Sequence, residues 1–188
     1  MEVYNYDHWQ KYKTISGIDA DLVISAIQKE IRRNHVENAT TLAYEMLKTS
    51  RELEEYLWQR LRVISVEDVG LANPTAAMMI HSLDAMRNTI PQDGDRGLFA
   101  IHAVRYLCES MKDRSSDELY NWVMKCYANG TIKPEIPEYA IDKHTRLGQE
   151  RKMTEKEFYL EGSKVSPEWK ERNTTYRERI LEIIGEQE

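Results

Sequence analysis

Two short segments hold most of the side chains whose types and spacing could do chemistry. The first has two adjacent acids, Glu67 and Asp68, at the start of Glu-Asp-Val-Gly-Leu-Ala-Asn-Pro over residues 67–74. Acids in the last turn of a helix oppose its dipole, at a cost of a few tenths to about 1 kcal/mol each. We expect an arginine of a neighbouring helix to compensate them, with the candidates Arg32, Arg33, Arg60 and Arg105. The alternative is a functional acidic pair, since structural ion pairs and functional sites can look alike in sequence.

The second segment covers residues 135–148, where Asp, Lys, His, Thr and Arg stand at five consecutive positions, 142–146. Such a mixture suits a polar or anion-binding site, and the alternative is a solvated loop. Pro137 predicts the start of a short helix on which Asp142 and Arg146, four residues apart, share a face and form an ion pair. The candidate functional surface therefore comprises Glu67, Asp68, Asp142, Lys143, His144 and Arg146.

Several common reaction types lack their sequence signatures. No Gly-Lys dipeptide is present, so the phosphate-binding loop of nucleotide hydrolases is missing from these 188 residues. The five histidines are scattered and no His-Glu-x-x-His or Glu-x-x-His pair occurs, so no local zinc or bundle-type metal site can be built. We assign no catalytic residue and expect no ATP binding, no metal and no cofactor.

Composition narrows the class of protein and its partners. The chain has 41% hydrophobic and 31% charged residues with a net charge of -6, which favours a globular domain and disfavours contact with a phosphate backbone. DNA binding would need Arg32, Arg33, Arg60, Arg62 and Arg105 on one surface. No apolar run approaches the ~20 residues of a membrane span, and no secretory signal is evident, so we expect a cytoplasmic protein. Cys108 and Cys126 are predicted to be reduced core residues.

The elements that must position these residues are helices, because apolar residues recur at intervals of three and four almost throughout. We predict an all-α fold in three parts: an aromatic-rich lead over 1–18, a six-helix core domain over 19–130, and an extension over 131–188. The extension is predicted to hold loops and short helices and to end in an amphipathic helix packed on the core, beginning at Ser166-Pro167.

Spacing and capping signals predict which face of each later helix is buried. Asn73-Pro74 predicts the start of the fourth helix, with Met79, Leu83, Met86 and Ile90 inside, and residues 91–94 its break. The inward residues of the fifth are predicted to be Leu98, Ile101, Val104, Cys108 and Met111. Residues 115–118 predict a capping box for the sixth, with Gly130 past its end. Its predicted inner residues are Leu119, Trp122, Val123 and Cys126.

Three blocks of sequence resemble the C-terminal region of the replication-associated recombination protein A family, AAA+ ATPases related to clamp loaders. The blocks are residues 24–33, 56–64 and 67–74, and their order and spacing match over about residues 19–130. Beyond them, Ile-Pro-Glu-Tyr-Ala-Ile-Asp-Lys-His-Thr over 136–145 resembles short or stand-alone relatives. The resemblance implies an all-helical domain like the clamp-loader oligomerisation domain, which forms tetramers, with ATP hydrolysis in an upstream module.

Two functional hypotheses follow. The first is a non-catalytic oligomerisation and protein-interaction domain associated with DNA replication, recombination or repair, whose partners are itself, as a dimer or tetramer, and replication or repair proteins. The second is a small all-α enzyme or anion-binding or ligand-binding protein that uses residues 142–146 with Glu67 and Asp68. Direct nucleic-acid binding and membrane association are not expected.

Overall fold

The computed structural model describes residues 8–91 and 94–186, and within them the protein is all-helical, as predicted. The chain divides into two compact units, residues 1–131 and 132–188. The sequence-based boundary lies between residues 130 and 131, and the domain organisation stays a prediction. Residues 1–7 of the predicted aromatic lead and residues 92–93 of the predicted break lie outside the described part. The packing of the last helix on the core stays a prediction.

Among its described residues, the first unit has six α-helices. A 3₁₀ turn over His8–Lys11 comes first, and the helices are α1 (Ala20–Arg32), α2 (Val36–Thr49), α3 (Arg51–Ile64), α4 (Ala76–Arg87), α5 (Arg96–Glu109) and α6 (Ser115–Ala128). A π-helical turn (Ser65–Val69) and a 3₁₀ turn (Gly70–Ala72) join α3 to the segment before α4. Within the described residues the only β-type pairing is an isolated bridge between Lys13 and Asp19, and no helix there could cross a membrane.

The core forms where α1, α2, α3 and α5 pack together. α2 presents Ala39, Ala43 and Met46 to its neighbours, and α5 presents Ala100 and Ala103. Small side chains at these contacts let helices approach closely. The large buried residues come mainly from α1 and α3: Val23, Ile27, Ile31, Leu53, Leu57, Trp58, Leu61 and Ile64. Most residues that the 3.6-residue pattern places inside α1 to α3 are buried, including Ile27, Ile31, Leu57 and Ile64, but Leu22 of α1 is 58% exposed.

The predicted inner face of α4 is correct for Leu83, which is buried, but wrong for two of its methionines. Met79 and Met86 are exposed, while Asp84 and Arg87 are buried beside Ile80. The charged pair can lie inside because each member has partners there, which offsets the cost of removing it from water. The helix also begins at Ala76 rather than at Asn73-Pro74, since the Asn73 amide instead donates to the Tyr106 hydroxyl at 2.8 Å.

The ends of α5 and most of α6 also differ from prediction. Leu98 and Met111 are 67% and 75% exposed, and the buried face of α5 runs through Ala100, Val104 and Cys108. In α6 no residue is fully buried, and Cys126 is half-buried rather than a core thiol. Gly130 follows α6 with a φ of 71°, as predicted for a residue past a helix end.

The predicted capping box at the start of α6 does not form. The residue before the helix is Arg114, whose side chain makes no capping hydrogen bond. Asp113 supplies the cap from one residue earlier, because its carboxylate accepts the Ser115 N–H at 2.9 Å. Sequence spacing alone could not choose between these two alternatives.

The second unit consists of short elements followed by one longer helix. They are a 3₁₀ turn (Glu138–Ala140), α7 (Arg146–Glu150), α8 (Glu155–Glu157), a π-helical turn (Phe158–Gly162) and α9 (Thr175–Glu186). α9 begins nine residues later than Ser166-Pro167 predicts, because Asn173 accepts the Thr175 N–H at 2.9 Å and so supplies the helix start. α9 lies against α8, and Arg177 donates to the Tyr159 carbonyl of the π-helical turn and to the Ser163 hydroxyl just after it, at 2.8 Å.

Candidate functional site

The acids Glu67 and Asp68 lie in the π-helical turn between α3 and α4, and arginines surround them. The Asp68 side chain is fully buried, with its Oδ1 accepting from Arg32 Nε at 2.5 Å and from Arg114, and its Oδ2 accepting from Gln28 at 3.0 Å. Glu67 Oε1 accepts from Arg32 at 3.2 Å and from Arg114 at 3.1 Å. The acids that oppose the helix dipole are thus compensated by cations.

Two of the four predicted arginine partners are confirmed. Arg32 bonds both acids, and Arg60 lies 4.0 Å from Glu67 while it also donates to Gln28. Arg33 and Arg105 do not take part, since Arg33 donates to the Lys29 carbonyl and Arg105 pairs with Glu109. Sequence reasoning missed Arg114, which is distant along the chain and follows no apolar pattern that would place it near this turn.

The π-helical turn that holds Glu67 and Asp68, called the acidic turn below, attaches α6 to the rest of the first unit. Arg114 immediately precedes α6, and the Asp113 N–H donates to the Asp68 carbonyl at 3.0 Å. Gly70 allows this approach: it has a φ of 53°, and a Cβ there would lie 2.3 Å from the Asp113 carbonyl oxygen. α6 packs mainly against this turn and the 3₁₀ turn that follows it.

Because α6 is attached mainly at its N-terminal end, most of its apolar side chains face solvent. Trp122, which was predicted to be inside, is 54% exposed. The other large exposed apolar residues of α6 are Leu119, Tyr120, Val123, Met124 and Tyr127. Beside the helix, a groove of about 520 Å³ is lined by Val63, Val66 and Tyr120 together with polar residues. Several exposed apolar side chains on one helix are typical of an interaction surface.

A second ionic network lies inside the first unit and holds α4 on α3. The buried Arg87 donates to Glu54 at 2.9 Å, to Glu55 at 2.6 Å and to Asp84 at 2.8 Å. Its guanidinium carbon also lies 5.2 Å from the centre of the Trp58 ring. Burial alone would lower the pKa of Arg87, but the hydrogen bonds to Glu55 and Asp84 outweigh burial and raise it. Each charged side chain of this network has an oppositely charged partner within it, which indicates a structural role.

In the second unit, residues 142–146 form a tight turn that starts α7. Asp142 Oδ1 accepts the His144 N–H at 2.9 Å, and the Thr145 hydroxyl caps α7 by accepting the Gly148 N–H at 3.0 Å. The predicted pair of Asp142 and Arg146 does not form. The 3₁₀ turn after Pro137 ends at Ala140, and Arg146 instead pairs with Glu150, one turn further along α7.

A cavity of about 400 Å³ opens beside this turn. Its apolar lining consists of Tyr139, Ile141, Met153 and Phe158, and its acidic lining consists of Glu138, Asp142, Glu157 and Glu161. Lys143 and His144 both lie near the Phe158 ring. Lys143 Nζ is 5.8 Å from the centre of that ring, and the centre of the His144 ring is 4.8 Å from it. Among the described residues, no group of three or more His, Cys, Asp or Glu side chains is arranged to hold a metal ion.

Comparison with known families agrees with this helical architecture. The profile of a family described as the MgsA AAA+ ATPase C terminal matches residues 35–178, which is more than half of the chain. The chain belongs to this family. Comparison with curated protein sequences gave no significant match.

The family match confirms the resemblance drawn from the three sequence blocks. It includes α2 to α6 of the first unit and continues through the second unit into α9. The match is to the helical C-terminal domain of these ATPases and not to an ATPase module. Both the acidic turn and residues 142–146 lie inside the matched region.

The six candidate residues of the family domain separate into two groups. Glu67 and Asp68 form a network in the first unit, and Asp142, Lys143, His144 and Arg146 form contacts in the second. Each group is engaged within its own unit, and a joint site that combines them stays a prediction.

The arginines considered for DNA binding are largely neutralised. Arg32 and Arg60 face Glu67, Arg62 hydrogen-bonds Asp84, and Arg105 pairs with Glu109. Cations that already have carboxylate partners contribute less to a phosphate-binding surface. Whether the chain contacts nucleic acid directly stays a prediction.

Proposed function

We propose that this chain is a non-catalytic helical oligomerisation and protein-interaction domain that works with ATPases of DNA replication, recombination or repair. The link to those processes rests on family membership. The observation that carries the assembly role is the exposed apolar face of α6, and we propose that the occupant of this face is α6 of a second copy.

The sequence of α6 suits pairing with itself. Asp117 and Glu118 lie in its first turn and Lys125 lies in its last. In an antiparallel pair about a twofold axis, the acidic start of one helix would lie beside the basic end of the other. The two helix dipoles would also run in opposite directions, which is the favourable arrangement. Such an arrangement buries the exposed aromatic and aliphatic side chains, with Trp122 near the centre, where binding energy is usually concentrated.

Attachment through the acidic turn supports the same role. A helix held at its base by Arg114 and Asp113 keeps a defined direction while its apolar side chains remain available. A presented face that is ordered before binding loses less conformational entropy on association than a flexible segment does.

The experiment is light scattering of the full chain over about a hundredfold range of concentration, with wild type compared with Trp122→Lys and Val123→Glu. Wild type is expected to have at least twice the 22.1 kDa mass of the chain, and both variants are expected to be monomeric with unchanged helical circular dichroism. The matched control is Leu98→Lys, since Leu98 is an exposed apolar residue of α5.

Two outcomes would contradict the proposal. A wild-type mass near 22.1 kDa at every concentration would exclude self-association and leave a different protein as the occupant of α6. An oligomer that survives both α6 variants would show that the chain assembles through another surface.

A further inference from the structure

The cavity of the second unit has the features of a binding site that the assembly role does not use. One point on its wall brings an aromatic ring and a carboxylate together. A Cβ built on Gly162 would lie 3.0 Å from Cδ2 of Phe158 and 3.6 Å from Oδ2 of Asp142. Because glycine has no side chain, this space between ring edge and carboxylate stays open.

The four carboxylates that line the cavity differ in whether a lysine or arginine of the chain pairs with them. Glu138 is paired with Arg151 at 2.8 Å and Glu161 with Lys164 at 2.7 Å, so a cation of the chain already balances each. Asp142 Oδ1 accepts the His144 N–H at 2.9 Å, and its Oδ2 lies 3.2 Å from His144 Nδ1. Glu157 is engaged by the backbone N–H and hydroxyl of Thr154 in the capping box at the start of α8.

Asp142 and Glu157 therefore keep their negative charge. Among the described ion pairs, neither residue has a lysine or arginine partner. The pKa of Asp142 is lowered mainly by the backbone N–H of His144, and that of Glu157 mainly by the backbone N–H of Thr154, so both are ionised at neutral pH. Lys143, the next residue after Asp142, is held by Glu155 at 2.7 Å.

We propose that this cavity binds an organic cation, an ammonium or guanidinium group on an apolar stem. Asp142 and Glu157 supply the opposite charge, and the apolar walls contact the stem. Phe158 presents its ring edge to this space and contributes apolar contact to the stem. The same lining repels anions, so an anion-binding role for residues 142–146 is not favoured. The cation could come from a free amine or from a lysine or arginine side chain of a protein, and the chemistry of recognition is the same.

The test is an NMR titration of the full chain, in which backbone amide shifts report the site of binding. The probes are pentylamine for a free amine and N-acetyl-lysine N-methylamide for a protein side chain. Pentanol and pentanoate are the neutral and anionic controls of matched length. We expect saturable shifts within residues 138–162 with the cations, and none there with pentanol or pentanoate.

The two sources give different results, and each supports the proposal. Binding of both cations indicates that a side chain of a partner protein can enter. Binding of pentylamine alone indicates a free amine, since the blocked backbone of the lysine probe does not fit. No saturable shift with either cation, or equal shifts with pentanol, would overturn the proposal.

Charge-removing variants test the assigned residues. Asp142→Asn and Glu157→Gln keep hydrogen-bond acceptors for His144 and Thr154, and each is expected to weaken binding of the cation about fivefold. The matched control Glu150→Gln removes one charge from the same unit outside the cavity and should change affinity by less than about twofold. Gly162→Ala provides a second measure, because its methyl group would fill the space between Phe158 and Asp142. Unchanged affinity in all three cavity variants would contradict the assignment.

Discussion

The buried carboxylate of Asp68 accepts a hydrogen bond from Arg114, a residue 46 positions further along the chain. This contact joins the turn after α3 to the start of α6. It explains why two acids are tolerated where the dipole of α3 disfavours them, and it explains how α6 can be held firmly while its apolar side chains stay exposed.

Removal of Arg114 should loosen α6 selectively. In Arg114→Ala, Asp68 keeps Arg32 and Gln28, so we expect a loss of about 1–3 kcal/mol of unfolding free energy rather than a failure to fold. Hydrogen exchange should increase in α6 well before it increases in α2 or α3. The control is Arg105→Ala, which breaks only an exposed pair with Glu109 and should cost less than about 1 kcal/mol. Equal amide hydrogen exchange in α6 of wild type and Arg114→Ala would show that Arg114 does not hold α6 in place.

Gly70 should be the glycine of the first unit that is least tolerant of substitution. In Gly70→Ala, the new methyl group meets the Asp113 carbonyl oxygen at 2.3 Å, in addition to the penalty for a positive φ. Gly130→Ala is the matched control, since its φ is 71° and nothing lies within 4 Å of the added Cβ. We expect about 1–2 kcal/mol for Gly130→Ala and a clearly larger loss for Gly70→Ala in chemical denaturation. Equal losses would mean that the close approach of Asp113 has no energetic weight.

The network around Arg87 should make stability depend on acid. The pKa of Glu55 is lowered from 4.5, chiefly by its hydrogen bond to Arg87. A carboxyl group with a folded-state pKa below its unfolded value stabilises the fold above the unfolded pKa, and this contribution is lost as pH falls through the folded value. Thermal unfolding should show a stability loss below about pH 4.5 that is smaller in Glu55→Gln. The same acid dependence in both proteins would exclude Glu55 as its source.

The two cysteines should differ sharply in reactivity. Burial raises the pKa of Cys108 to about 11, so little thiolate forms at neutral pH, whereas Cys126 lies half-buried on α6. Iodoacetamide followed by mass spectrometry should label Cys126 and leave Cys108 unmodified in the folded protein. If α6 pairs with a second copy, labelling of Cys126 should slow as protein concentration rises. Cys108 labelled as fast as Cys126 would contradict the buried environment.

Local sequence determined the helical class, the positions of α1 to α3 and most of the apolar side chains they bury; Leu22, predicted inside, is 58% exposed. These features depend on contacts between residues three or four apart and on hydrophobic burial, and both leave a regular pattern in the chain.

Tertiary structure alone decided the parts that depend on charge. Apolar periodicity could not place Asp84 and Arg87 inside α4, because a buried ion pair is stable only when its partners, here on α3, are correctly positioned. For the same reason Arg114 could not be identified as a partner of Asp68. The sequence also could not predict that the apolar face of α6 is exposed. An apolar stripe predicts a surface that will be covered, but it does not say whether the same chain or another copy covers it.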